Sequence, residues 1–322
     1  MKKCFIALAA MILILPLVLT PFGTDVPSHR EEVSNEISMS GFSTRLALKT
    51  LLIDLNDRLL APLGGSGSDQ VIRGKSSWLF YTPTLDGSAL LTGDEEDALI
   101  DRLLSLQSAL SADGRTLILL IAPNKASVYP EFLPAGFTTS GLSTLENRLA
   151  DAGLTSVRAV DALTESKGSG QLYFTSDTHW NARGALIVFR RLADLLPSLK
   201  NFDADFTSGT AGDLLLLCRP GADPAEADAA FNYARSWTAV KPIRSRDDLT
   251  IETRNVSGTG TILLARDSFG RLLLDPLAES ASRLIMVRTW ENLFSLAADY
   301  DAGIVILEVA ERDLRTLLTS LE

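Results

Sequence analysis

Thr116–Ala122 reads T-L-I-L-L-I-A and runs straight into P-N-K at residues 123–125. An unbroken apolar run of this length, stopped by a proline, is the pattern of a strand covered on both faces; a strand with one wet face would alternate. Comparable runs recur at 261–265 (T-I-L-L-A), 283–287 (R-L-I-M-V) and 304–309 (I-V-I-L-E-V), with a shorter one at 156–160. Between and beyond them, apolar residues fall at helical spacing over 94–112, 142–152, 181–196, 291–298 and 311–321. The 94–112 helix opens on acidic residues that suit its positive end, and Asn181 is placed to cap the 181–196 helix. A further helical stretch follows residues 261–265, with Pro276 inside it or near its end. Strands alternating with helices predict a three-layer α/β/α fold around a mostly parallel central sheet.

Two segments depart from this rhythm. Residues 71–81 hold two short apolar pieces around G-K-S-S and predict a hairpin that leads into the core. Over residues 199–260 the alternation fails, because 203–213, 219–229 and 247–260 are polar or rich in turn residues. An irregular excursion beside the sheet is expected there, and long loops in a compact domain are more often functional than idle.

The N-terminal residues have the layout of an export signal. Lys2 and Lys3 precede an apolar run from 5 to 19 interrupted by Pro16. Residues 1–22 are therefore expected to be a signal peptide or an uncleaved signal anchor, with the chain beyond them outside the cytoplasm, membrane-anchored or secreted. Residues 23–70 read as a polar tether followed by an amphipathic helix over 43–60, and residues 71–322 as the exported domain. Cys4 and Cys218 would lie on opposite sides of the membrane, so no disulfide framework is expected, and Cys218 reads as a small buried apolar residue. A formal net charge of -10 with scattered Lys and Arg argues against a nucleic-acid footprint and, more mildly, against a strongly polyanionic ligand, while leaving room for a local basic groove.

The chain has only 2 histidines, His29 and His179. His179 sits in S-D-T-H-W-N at residues 176–181, two residues after Asp177, near enough for the carboxylate to orient one ring nitrogen. A nucleophile that such a pair would serve is Ser268, in A-R-D-S-F-G directly after the 261–265 strand. Each residue also has a plain structural reading: His179 as a bonded histidine at a helix start, Asp177 as a turn or capping residue, Ser268 as a helix cap, Trp180 as core. Asn124 and Lys125 read equally as a solvated loop. The combination at strand ends is what points to acyl transfer, since ligands of open α/β sheets gather outside the carboxyl ends of the strands. One histidine and one cysteine in the exported domain, residues 71–322, argue against a His/Cys metal site, and no cofactor motif is present.

Asp177, Thr178, His179 and Trp180, continued by Asn181, Arg183 and Gly184, resemble the Asp-x-His-Trp block of the SGNH-hydrolase-like domain of the alginate O-acetylation proteins. R-D-S-F at 266–269 resembles its nucleophile block, G-D-L at 212–214 a recurrent element between the two, P-N-K-A-S-V-Y-P at 123–130 its Pro-x-Lys segment, and residues 308–312 its last strand ending. The resemblance implies a serine O-acetyltransferase or acetylesterase acting on an envelope or secreted polysaccharide, beside a membrane-bound O-acyltransferase. Ser268 would be the nucleophile, His179 the base and Asp177 its orienter. Arg266, Asn124, Lys125, Trp180 and Tyr129 are the candidates for the oxyanion site or substrate contacts. Arg266 stands where ordinary SGNH enzymes have glycine, so their oxyanion geometry does not carry over. The competing expectation is a catalytically inactive, anchored scaffold or glycan-binding component built on the same fold.

Overall fold

A computed structural model of the chain describes residues 68–85, 91–137, 139, 141–207, 212–218 and 230–321. The expectations for residues 1–22, the tether and the 43–60 helix lie outside the described residues. Among the described residues no helix is long and apolar enough to cross a membrane.

The strands in chain order are β1 (Val71–Arg73), β2 (Leu79–Tyr81), β3 (Thr116–Ala122), β4 (Ser156–Val157), β5 (Asp205–Thr207), β6 (Ala230–Asn232), β7 (Thr238–Ala239), β8 (Thr250–Arg254), β9 (Thr261–Ala265), β10 (Arg283–Val287) and β11 (Ile304–Ala310). A 7-stranded sheet runs β4-β3-β11-β9-β10-β8-β7. Its β4 to β10 part is parallel, and β8 and β7 close one edge antiparallel. β1 and β2 form the expected hairpin.

The apolar strands divide their side chains between two cores, as a period of two requires. Ile118, Leu120, Ile262, Leu264, Leu284, Met286 and Ile306 face one layer, with the helices Ala182–Leu195 and Leu274–Ser280. Leu117, Leu119, Ile121, Leu263, Ile285, Val305 and Leu307 face the other, with Gly93–Ala112, Leu142–Asp151, Leu293–Asp299 and Leu314–Ser320. The three-layer arrangement and the mostly parallel sheet follow from this double coverage. Local chemistry fixes the helix starts. Thr92 and Glu95 form a reciprocal capping box before the first long helix, and Asn181 accepts the Gly184 amide at 3.1 Å. Pro276 sits in the first turn of its helix, where no intrahelical donor is missed.

The structure corrects the sequence reading in two places. Within the 199–260 excursion, residues 250–254 are a strand of the main sheet, with Ile251 and Thr253 buried and Glu252 only half covered. β7 joins it, while β5 and β6 pair with each other in a small separate sheet. Asp177 and His179 do not follow a strand end, as their grouping with the strand-end candidates supposes: residues 172–174 before them contribute only a single bridge, Tyr173 to Trp180. They belong to a tight loop closed by Asn181 N–H to Leu172 O at 2.9 Å and Phe174 N–H to His179 O at 3.3 Å. Gly184 lets the following helix seat against this loop, since a Cβ there would stand 2.4 Å from Leu172 O.

One offset in register shapes the site. β11 pairs with β3 as far as Ala310 with Ala122, but with β9 only as far as Leu307 with Ala265. The chain leaving β9 is therefore free to turn over residues 308–310 of β11.

Candidate active site

The loop of residues 172–181 stands over the carboxyl ends of β3, β11 and β9. Lys125, immediately past β3, pins it: Nζ donates to the carbonyls of Phe174, Thr175 and Asp177 at 2.9, 3.0 and 2.7 Å. This ammonium also lies 5.5 and 5.4 Å from the ring centres of Trp78 and Phe80.

Asp177 is buried and fully engaged. Its Oδ1 accepts the backbone amide of His179 at 2.9 Å and the Nδ1–H of the same residue at 2.7 Å. Its Oδ2 accepts the amides of Gly212 and Asp213 at 2.8 and 3.0 Å. Burial alone would raise the carboxyl pKa. The hydrogen bond and charge of His179, with the surrounding amides, outweigh it and hold the group below the usual carboxylate range. An ionised Asp177 fixes the tautomer of His179 with the proton on Nδ1, so Nε2 is an acceptor. Nε2 faces Ser268 Oγ at 2.8 Å. The three groups predicted from sequence therefore stand in line, across 89 residues of chain between Ser268 and the histidine.

A second carboxylate stands behind the first. Asp213 accepts Thr178 N–H at 2.7 Å and Thr178 Oγ1–H at 2.5 Å, and its Oδ2 is 3.6 Å from His179 Nδ1. Asp177, His179 and Asp213 together offer ligand atoms within 4.8 Å of one another, the composition of a metal site. In this arrangement those atoms are engaged with one another and with backbone amides.

The Ser268 turn is held from below by Glu308 of β11. This side chain is completely buried, and its Oε2 accepts the amides of Asp267 and Gly270 at 3.0 and 3.1 Å. Asp267 answers from the turn: Oδ1 accepts Phe269 N–H at 2.8 Å and Oδ2 accepts Ala310 N–H at 2.5 Å. Desolvation, reinforced by the neighbouring Asp267 carboxylate, pushes the Glu308 carboxyl well above its usual range. Gly270 is obligatory here, because a Cβ would stand 2.8 Å from Glu308 Oε2 and from Arg266 Cβ. The amides of 267, 269 and 270 are thus all occupied, whereas the Ser268 N–H has no acceptor among the described residues. It is the backbone donor left to face an oxyanion on a group bonded to Ser268.

The remaining sequence candidates divide. Asn124, at the end of β3, is buried, donates its amide to Glu311 at 2.7 Å, and has a side-chain oxygen without a partner. The other four are corrected to structural tasks. Lys125 is spent on three carbonyls. The Tyr129 hydroxyl accepts Leu172 N–H at 3.1 Å inside the core. Trp180 is fully buried, meets the Phe269 ring edge-on at 5.1 Å and donates to Phe269 O at 3.1 Å. Arg266 is buried and donates to the carbonyls of Arg246, Asp248 and Asp267, clamping the 246–248 loop to the turn. In each case the sequence signalled a polar or aromatic group near the site but not which way it faced. Glu308 was not singled out, although a glutamate inside I-V-I-L-E-V-A is a visible signal, since a charge in a doubly covered strand needs a buried partner.

Comparison with known proteins agrees with this geometry. A family profile described as "SGNH hydrolase-like domain, acetyltransferase AlgX" matches residues 71–215, which include Asp177 and His179 and stop before Ser268. A probable alginate O-acetylase AlgJ of Azotobacter vinelandii is 29% identical over 160 residues, 47% of this chain and 40% of the relative, so the match spans less than half of that protein. Among solved structures, a DHHW family protein from Eubacterium siraeum superposes with a TM-score of 0.61 at 14% identity, covering 79% of this chain and 95% of the other. The O-acetyltransferase domain of Pseudomonas putida AlgJ does so with a TM-score of 0.52 at 19% identity, covering 78% and 98%. Over residues 71–215 the chain is similar to that SGNH hydrolase-like domain, and it shares the fold of those solved structures.

Proposed function

We propose that this chain is an extracytoplasmic serine O-acetyltransferase of a cell-envelope or secreted polysaccharide, working through an acetyl-enzyme on Ser268. The observation that carries the reading is the unbroken line from Asp177 through His179 to Ser268, at 2.7 and 2.8 Å. A degenerate scaffold would have no need to keep it.

In the first half-reaction Ser268 Oγ attacks the carbonyl carbon of an acetyl ester while His179 Nε2 takes the hydroxyl proton. Asp177 stabilises the imidazolium so formed, and the Ser268 amide faces the developing oxyanion. The tetrahedral adduct collapses, the donor oxygen leaves with the proton from Nε2, and the acetyl group remains on Ser268. In the second half-reaction Nε2 removes the proton of an acceptor hydroxyl, that oxygen attacks the acetyl carbon, and Ser268 leaves reprotonated. A sugar hydroxyl as acceptor gives transfer, and water gives acetate.

The lysines and apolar run of residues 1–22 support export, and the relation to alginate O-acetylases supports a polysaccharide acceptor and an acetyl supply from a membrane-bound O-acyltransferase. The test is acetate release from a chromogenic acetate ester by the full chain, wild type against Ser268→Ala. A drop of about 10³-fold or more is expected, and equal rates would remove Ser268 from the reaction. Adding a polysaccharide acceptor and finding acetylated product distinguishes transfer from hydrolysis.

A further inference from the structure

β11 lies between β3 and β9 in the sheet, so the chain leaving it passes between the strand that ends at Lys125 and the strand that ends at Ser268. Two buried glutamates stand at this exit. Glu308 serves the β9 side, through the amides of Asp267 and Gly270. Glu311, one residue past the strand, serves the β3 side. Its Oε2 accepts the Asn124 amide at 2.7 Å, and the Ser127 hydroxyl donates to the same carboxyl, 2.7 Å from Oε2 and 2.9 Å from Oε1. Glu311 is 4% exposed, and the nearest guanidinium along the chain, Arg312, turns instead to Asp313 and the Phe269 ring.

The segment that Glu311 holds faces two ways. Residues 124 and 127 are fastened to the glutamate, while residues 123 and 125 fasten the loop that bears His179. Pro123 O accepts the Tyr173 hydroxyl at 2.6 Å, and Lys125 Nζ donates to the carbonyls of Phe174, Thr175 and Asp177. The Lys125–Val128 helix is a single turn to which Asn124 gives no side-chain cap, and so short a helix does not hold itself in place. Sinking an acid here without a cation costs stability; what it secures is the seat of the His179 loop. Burial lifts the Glu311 carboxyl to about 7. In either protonation state one oxygen can accept the Asn124 amide while the other accepts from, or donates to, Ser127 Oγ.

We propose that Glu311 is a positioning residue for acyl transfer, which fixes the turn after β3 and thereby sets His179 Nε2 within reach of Ser268 Oγ. The end of β11 then carries one carboxyl for each reacting partner, Glu308 for the serine and Glu311 for the imidazole. Both act from one rigid strand, so the gap between base and nucleophile is held from a common support. A displacement of about 1 Å between reacting groups costs about 10²-fold in rate. The proposal rests on the acyl-transfer reading above and extends it to the group that sets this distance.

The test is acetate release from a chromogenic acetate ester by the full chain, read as kcat and KM separately, together with ring-nitrogen NMR of His179. Glu311→Met, matched in length but without an acceptor, should lower kcat about 10²-fold with KM within about twofold, and should displace the His179 signals. Glu311→Gln keeps an oxygen for the Asn124 amide and an N–H for Ser127, so it should hold kcat within about threefold and retain the wild-type signals. Ser127→Ala removes one of the two donors and should cost about tenfold in kcat, which carries the comparison where Glu311→Met does not fold. A folded Glu311→Met protein with wild-type kcat, a loss confined to KM, a Gln variant as impaired as the Met variant, or a Ser127→Ala protein with wild-type kcat would each overturn the role of Glu311. The two readings fail separately. Acetate release that Ser268→Ala leaves undiminished defeats the serine chemistry, while His179 signals displaced in Glu311→Met and restored in Glu311→Gln would still uphold the positioning. His179 signals unmoved in Glu311→Met, with Ser268→Ala inactive, defeat the positioning alone.

Discussion

Replacing Glu308 with leucine takes away the acceptor of two buried amides, those of Asp267 and Gly270 at 3.0 and 3.1 Å, in a place that water does not reach. Leaving a buried donor unpaired costs about 1–3 kcal/mol, so Glu308→Leu should lower stability by roughly 2–5 kcal/mol. The turn would then relax away from β11, carrying the Ser268 amide from its station opposite the reacting carbonyl. Loss of one oxyanion donor costs about 3 kcal/mol of barrier, or roughly 100-fold in kcat. Glu308→Gln preserves the carbonyl acceptor for both amides, so it should keep kcat within about threefold. The assay is acetyl-ester hydrolysis by the full chain, read as kcat and KM separately, with a urea titration on the same variants. The expected pattern is a kcat defect in Glu308→Leu at nearly constant KM, rescued by Glu308→Gln. A folded Glu308→Leu protein with wild-type kcat, or a Gln variant as impaired as the Leu variant, would refute the reasoning.

Asp177→Asn should cost about 10³–10⁴-fold in kcat by releasing the tautomer of His179, whereas Asp213→Asn, whose carboxylate is 3.6 Å from Nδ1, should cost only about tenfold. Equal losses would make Asp213 the orienting group. Lys125→Met should destabilise the fold by roughly 3 kcal/mol, because three carbonyls of the His179 loop lose their donor; an unchanged urea midpoint would contradict that role. Glu146 is buried, accepts the amides of Ala159 and Val160, and has its pKa raised by desolvation to about 7. Because the folded value exceeds the ordinary carboxyl value of 4.5, its contribution is complete below pH 4.5 and is lost as pH rises through 7, about 3 kcal/mol at most. Glu146→Gln should flatten the fall in stability between pH 5 and 8, as measured by urea midpoints, and an unaltered slope would exclude Glu146 as its source.

The parallel strands were legible because burial on both faces writes itself as uninterrupted Leu, Ile and Val. β8 was not, because an antiparallel strand near the sheet edge alternates, and T-I-E-T-R offers one buried aliphatic between polar neighbours. The alignment of Asp177, His179 and Ser268 was legible because a single imidazole in residues 71–322 left no competitor there, and Asp177 lies two residues from it. Lys125 and Arg266 were read as facing substrate because composition does not reveal whether a cation is spent on backbone carbonyls. Asp213 was noted only within G-D-L, since its closeness to the imidazole depends on a chain reversal that sequence spacing does not encode.

Two of the three amides that steady Asp177 come from Gly212 and Asp213, which belong to the excursion and not to the loop that bears the acid itself. The setting of the Asp177 carboxylate is thereby divided between two separate stretches of chain. A chimera that transplants the excursion from a relative must import a matching pair of donors at this junction, or it will inherit a well-formed sheet and an idle serine.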